Sequence, residues 1–299
     1  MPIWLLRIVW ATLPLTAGAA AATGVASWSP PPQILAAALL WATWAAGLLA
    51  TLVWRPVGLT ALRLAAPAFF LLAVVVAVTS DASAAARAAA IAATGIGFGL
   101  ASRAPVARAA VNGAAYGDED RYPLRAPPAL LLGPLTAAPP LTAAGIATGP
   151  LLLADGRIVA GAFVTAAGGP LAWLLIRAVH SLSRRFVVLV PAGLVVADPL
   201  TLSDPVLFVR QRIAVLEAVP GRATAPADVL DLRLGALTGT TAIRLDRATE
   251  TLTVRRAVGR AEASGATELW VAPVARDELL ARAASRRIRV APPSAFGVT

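Results

Sequence analysis

The sequence predicts an α-helical integral membrane domain of about six transmembrane helices, followed by a small antiparallel β domain capped by a C-terminal helix. Three observations lead there. Six apolar windows fill the first 180 residues, arginines cluster on alternate connections between them, and the pattern changes to short β-prone runs from Arg185 onward. The bulk composition agrees: a mean hydropathy of +0.73 with 14% charged residues is far below the roughly 25% charge of soluble globular domains.

A bilayer core of about 30 Å needs about 20 apolar residues as helix. The windows 3–23, 34–54, 59–79, 85–101, 129–153 and 158–178 supply them. The fourth is short and alanine-rich with Gly95, Gly97 and Gly99, and the fifth holds several prolines, so five spans is the alternative count. The first window also resembles a signal peptide in its small residues 17–22. Arg7 and Pro14 interrupt that window and no basic cluster precedes it, so a retained span is expected.

Charge sets the expected orientation. Arg55, Arg63, Arg103, Arg108, Arg121, Arg125, Arg177, Arg184 and Arg185 fall on one side, whereas Arg87 and Arg157 fall on the other. The positive-inside rule then places both termini in the cytoplasm of a bacterium, with the chain in its cytoplasmic (inner) membrane. Trp4, Trp28, Trp54 and Trp173 lie near span ends, where indole rings anchor helices at headgroup depth.

Inside the spans the sequence is short of chemistry. Asp81, Asp118, Glu119, Asp120 and Asp155 all fall in connections, which argues against a proton-coupled pump. Spans five and six carry repeated helix breakers. Pro134, Pro139, Pro140, Pro150 and Pro170 are therefore the candidates for a broken-helix cavity, the geometry transporters use for binding sites. Packing kinks are the plainer account of the same prolines. The acids at 118–120 suit a solvated loop, a hydrated Mg²⁺ or a basic partner; of the specific roles, pairing with the arginine-rich C-terminal domain is favoured over metal.

The domain boundaries are expected at 1–180 for the membrane domain and 184–299 for the β domain. Strands are expected at 185–191, 194–197, 206–210, 213–219, 229–234, 240–245, 251–256 and 268–271, with 246–250 as a hairpin loop. The segment 274–287 reads as a helix: Asp277 and Glu278 open it, Arg286 and Arg287 close it, and Leu279, Leu280 and Ala283 form an apolar face suited to docking. Arg184, Arg185, Arg282, Arg286 and Arg287 are candidates for a basic surface toward anionic lipid headgroups, joined in the wider set by arginines 210, 212, 255, 256, 260 and 289. Eleven acids against sixteen arginines from Ser183 onward favour a mixed surface instead.

This order of strands and a closing helix resembles the pleckstrin-homology-like (PH-like) barrel that follows the spans of many bacterial membrane proteins; a small β-sandwich with a docked helix is the alternative. The resemblance covers 184–288 and implies a binding or assembly module. All 26 basic residues are arginine and alanine is abundant, so the chain as a whole resembles multi-pass proteins of GC-rich, actinobacterial-type Gram-positive bacteria.

No cysteine is present and His180 is the single histidine, so disulfides, thiolate chemistry and multi-histidine metal sites are excluded. His180 has no nearby acid in the sequence to orient its ring for a catalytic triad, and 235–239 lacks the lysine of a phosphate loop. The expectation is a non-catalytic protein without cofactor or metal, a scaffold, assembly or regulatory component of a membrane complex. Its expected partners are the lipid bilayer, other membrane proteins and anionic headgroups, with no nucleic acid, since loop arginines account for much of the basic excess. A transporter of a neutral or lipid-like substrate through spans five and six is the alternative.

Overall fold

The computed structural model of the chain describes residues 3–131, 133–220, 222–254 and 261–292. Its helices and strands divide into two compact units. One holds Met1–Ala110 and Pro134–His180; the other holds Val111–Gly133 and the described residues from Ser181 onward. The domain boundary is therefore not a single cut at 180: the second unit also takes in a segment that precedes the last two spans.

The first unit contains α1 (Trp4–Val25), α2 (Pro30–Leu52), α3 (Pro56–Thr79), α4 (Ala84–Ala101) and most of α5 (Ala104–Asn112). Prolines start α2 and α3, where the missing N–H costs nothing and the fixed φ suits the helix. Ser83 caps α4 by accepting from the Ala86 N–H at 3.2 Å. Further along the chain come α6 (Pro128–Leu131), α7 (Pro134–Ala154) and α8 (Ile158–Ser183). Six of these helices, α1–α4, α7 and α8, are long and apolar enough to cross a membrane, consistent with a multi-pass membrane protein.

Proline and tryptophan explain how α1 meets α2. Pro14 has no N–H to give the carbonyl of Trp10 one turn earlier. Trp44 Nε1 donates to that carbonyl at 2.9 Å, and Trp10 Nε1 donates to the Trp44 carbonyl at 2.9 Å. Trp10 is buried against Gly47, where a Cβ would come within 2.0 Å of the indole. Leu6, Leu13, Leu59, Leu62 and Leu100 complete this core. Arg7 donates through Nε to the Thr51 carbonyl at 2.8 Å, satisfying one of the carbonyls that the end of α2 leaves over.

In the second unit, β1 (Asp120–Pro123) pairs antiparallel with β2 (Phe186–Val190), followed by β3 (Gly193–Ala197) and β4 (Val206–Val209), in the order β1-β2-β3-β4. A second sheet has the order β5-β7-β8-β6, from β5 (Ile213–Ala218), β6 (Leu230–Asp231), β7 (Thr241–Val254) and β8 (Ala261–Val271). All neighbours are antiparallel except β6 and β8, which run parallel over two residue pairs. The helix α9 (Arg276–Ser285) buries Leu279, Leu280 and Ala283 in a core with Tyr122, Val187, Leu194, Phe208, Leu216 and Leu269.

Three expectations need correction. The stretch 246–250 is no hairpin loop. It lies within β7, where the register jumps between Arg244 and Thr249, so the extra residues bulge out of a continuing strand. The expected strand 229–234 is cut to two residues: the Asp231 side chain accepts from the Arg233 N–H at 2.9 Å, and the chain then turns through Leu234 at φ 54° and Gly235 at φ 84°. Residues 120–123, expected to be loop, form an edge strand whose Tyr122 is buried.

Candidate functional site

The residues expected to open a cavity in spans five and six do not break their helices. Pro134 begins α7, Pro139, Pro140 and Pro150 lie within it, and Pro170 lies within α8. Ahead of Pro134 the expected fifth span is divided between α6, which ends at Leu131, and α7. What the glycines do instead is let α7 meet α8. A Cβ on Gly145 would come within 2.5 Å of the Gly168 carbonyl oxygen, and one on Gly149 within 2.2 Å of Thr165 Oγ1. Small residues one turn apart are the usual means of close helix approach in membranes. The Thr60 hydroxyl and His180 Nδ1, 3.0 Å apart, join α3 to α8.

Among the described residues a cavity of about 280 Å³ lies elsewhere, between α1, α2, α3 and α4. None of the five prolines lines it.

The five arginines that were candidates for one basic surface separate into different environments. Arg184 and Arg287 are exposed. Arg185 is 1% exposed. Its Nε and Nη2 donate to Asp198 Oδ1 and Oδ2 at 2.8 and 2.7 Å, and the rest of the guanidinium donates to the carbonyls of Arg125 and Leu232. Asp198 in turn accepts from the Leu200 N–H at 3.0 Å. A planar fork matching a carboxylate, with spare donors satisfied, is the form in which a buried pair is tolerated. The alternation that puts Val187 and Leu189 in the core also puts Arg185 on that face, so the inward position was readable. Its partner was not. Asp198 precedes a proline and reads as a turn residue.

Arg282, in the last turn of α9, and Arg286, at its C-cap, lie one turn apart. Arg282 Nε donates to Asp120 Oδ2 at 2.7 Å. Arg286 Nη2 donates to Asp118 Oδ1 and Asp120 Oδ2, each at 2.9 Å, and its Nη1 donates to the Asp118 and Leu189 carbonyls. Burial works to raise the Asp120 pKa, but the hydrogen bonds and charges of Arg282 and Arg286 outweigh it and hold the carboxyl below its usual value. The hydrogen bond to Asp120 raises Arg282 correspondingly. Glu119 is lowered as well, chiefly by Arg121, whose Nη2 donates to it at 2.9 Å. The acids at 118–120 are thus occupied by arginines. No group of three or more acids, histidines or cysteines is placed to hold a metal among the described residues.

Asn112 closes the start of this segment by pairing with the Arg121 backbone, donating to its carbonyl at 2.7 Å and accepting from its N–H at 2.8 Å. Arg255, Arg256 and Arg260 lie outside the described residues. Another arginine the charge count did not distinguish, Arg233, sits over the Trp270 ring at 4.5 Å and pairs with Asp231 at 2.7 Å.

These arrangements fix strands and a helix to one another. No protein-family model matches the chain, and neither a curated protein nor a solved structure matches it.

Proposed function

We propose that this chain is a multi-pass protein of the bacterial cytoplasmic membrane, with both termini cytoplasmic, that serves as a non-catalytic scaffold, assembly or regulatory component of a membrane complex. The observation that carries the reading is the origin of β1. Residues of Val111–Gly133 complete a β unit otherwise made from Ser181 onward, so α7 and α8 are an insertion between two neighbouring strands. The unit is joined covalently to the helical unit at three places. A module joined at three points swings less than one on a single tether and suits holding partners in fixed register.

The same connectivity supports the orientation. Strands that pair occupy one side of a membrane, so an even number of crossings separates β1 from β2, and α7 with α8 supplies two. Nine arginines against two support a cytoplasmic placement of that side. The order β1 to β4, then a second sheet, then α9 supports the PH-like resemblance, with β1 arriving from across the inserted helices as a departure. Such modules bind partners, lipid headgroups among them. Arg184 and Arg287 remain exposed for headgroups, whereas Arg185, Arg282 and Arg286 are engaged within the unit. The carrier alternative drew on spans five and six, and glycine contacts close those helices on each other.

Gentle-detergent purification of the full chain from its native membrane, followed by native mass spectrometry, tests this. A membrane-protein partner present in fixed ratio, and lost on Arg286→Ala with Asp120→Ala, is the expected result. A chain that runs alone and moves a neutral solute across proteoliposomes would replace the scaffold with a carrier.

A further inference from the structure

We propose that the cavity between α1, α2, α3 and α4 seats one hydrocarbon chain of a membrane phospholipid. This is a site separate from the β unit and goes beyond the scaffold reading. Its wall combines large apolar side chains such as Trp44 and Phe69 with small residues, among them Ala17 and Gly18 of α1, Ala37 of α2 and Ala73 of α3. Small residues elsewhere in this unit admit a neighbour: Gly47 receives Trp10, and Gly145 receives Gly168. At Gly18 no atom stands within 4 Å of where a Cβ would be, although the residue is only partly exposed. The helices have left room there.

The lining chooses the occupant. It carries no charged side chain. The hydroxyl of Thr94 donates to the Ala90 carbonyl at 2.6 Å, and Trp44 Nε1 is engaged with the Trp10 carbonyl. Ordered water needs two to four polar partners, which this wall does not offer, and an unfilled void forfeits dispersion contacts on every side. Trp41 and Leu72 line the cavity and are also 56% and 39% exposed, so it opens sideways onto the apolar outer surface of the spans. What lies against that surface in a bilayer is acyl chain. The volume of about 280 Å³ falls just under the roughly 300–1,000 Å³ of pockets that take a whole small ligand, so one chain enters and its headgroup stays outside. The Trp44 ring, held edge-on to Trp41 with centroids 5.2 Å apart and fixed by its hydrogen bond, gives that chain a rigid aromatic wall.

The test uses the full chain in phosphatidylglycerol vesicles doped with a phosphatidylglycerol bearing a mid-chain diazirine, irradiated and mapped residue by residue by mass spectrometry. Label should concentrate several-fold on 17–22 and 37–41 over Leu15 and Val78, which are 85% and 78% exposed and outside the cavity lining. Gly18→Leu and Ala37→Leu, which grow into the cavity, should bring it down to the Leu15 level. Gly99→Leu should leave it unchanged, because Gly99 also has an open Cβ position but does not line the cavity. If Gly18→Leu fails to fold, Ala37→Leu gives the reading. Even labelling along the spans, or labelling untouched by a folded filling variant, would overturn the site. Preferential labelling by a diazirine polyprenol at equal doping would overturn the acyl assignment.

Discussion

Removing the guanidinium at Arg185 should cost the β unit more than any surface substitution. In Arg185→Met the carboxylate of Asp198 stays buried with the Leu200 N–H still donating to it. Breaking a buried pair in this way costs about 3–5 kcal/mol. The carbonyls of Arg125 and Leu232 lose donors at 2.9 and 3.2 Å, which adds about 1 kcal/mol or more. A total near 4–6 kcal/mol would take most of the stability of a domain at the low end of the usual range of about 5–15 kcal/mol. Hydrogen exchange on the full chain in detergent, read at β2 and β3 amides, measures it without dissecting the protein. At 1.4 kcal/mol per factor of ten, protection should fall by about a thousandfold or more. The double variant Arg185→Met with Asp198→Leu removes both charges and should recover a substantial part of the loss, since a buried pair replaced by apolar groups is often neutral. A fall of less than tenfold in the single variant, or a double variant worse than either single one, would refute the reasoning.

Three further outcomes follow from the same geometry. Gly47→Ala drives a methyl into the Trp10 indole, which is held by its hydrogen bond to the Trp44 carbonyl; it should destabilise the helical unit by about 1–3 kcal/mol, seen as a lower Tm in detergent, and an unchanged Tm would contradict the packing. The segment 181–299 expressed alone lacks buried Tyr122 and Leu124 and should show no cooperative unfolding until peptide 111–131 is added; cooperative unfolding without it would make β1 dispensable. Asp120, Glu119 and Asp231 are all held below their ordinary values, so the stability they confer is complete above their unfolded pKa of about 4 and is lost as pH falls through the lower folded values. Near-UV circular dichroism of the β unit should therefore be flat from pH 7 to about 5 and change only below about 4; a transition between pH 5 and 7 would assign acid sensitivity to another group.

The parts of the fold that were legible are those governed by local rules. Length and hydropathy located the spans to within a few residues, and α9 was marked by acids at its start and arginine near its end, with Leu279, Leu280 and Ala283 facing inward. Nonlocal pairing was not legible. Nothing in Asp120-Arg121-Tyr122-Pro123 distinguishes an edge strand from a turn, because its partner lies more than sixty residues away, beyond α6, α7 and α8. The polar run at 246–250 has a loop's composition, and only the register of β8 reveals that β7 continues through it. The prolines of spans five and six promised broken helices, but lipid offers a freed backbone no water, which favours keeping the helix. The partners of the candidate basic residues were illegible for a similar reason: counting arginines gives charge, whereas the acids that engage Arg185, Arg282 and Arg286 are set by tertiary contacts.

The central claim is that residues before the last two spans complete the β unit, and a disulfide measures it directly. Arg121 stands opposite Val188. The bond from Leu124 N–H to the Arg185 carbonyl makes Arg121 and Val188 a non-hydrogen-bonded pair, with Cα atoms about 4.5 Å apart, within reach of a disulfide. The chain has no cysteine of its own, so Arg121→Cys with Val188→Cys reports on that pair alone. With a protease site placed at Gly156, between α7 and α8, mild oxidation in native membranes should leave the two cleaved fragments joined until a reductant separates them. Fragments that part without reductant, or that join no more readily than with the mismatched Arg121→Cys and Val195→Cys pair, would contradict the account.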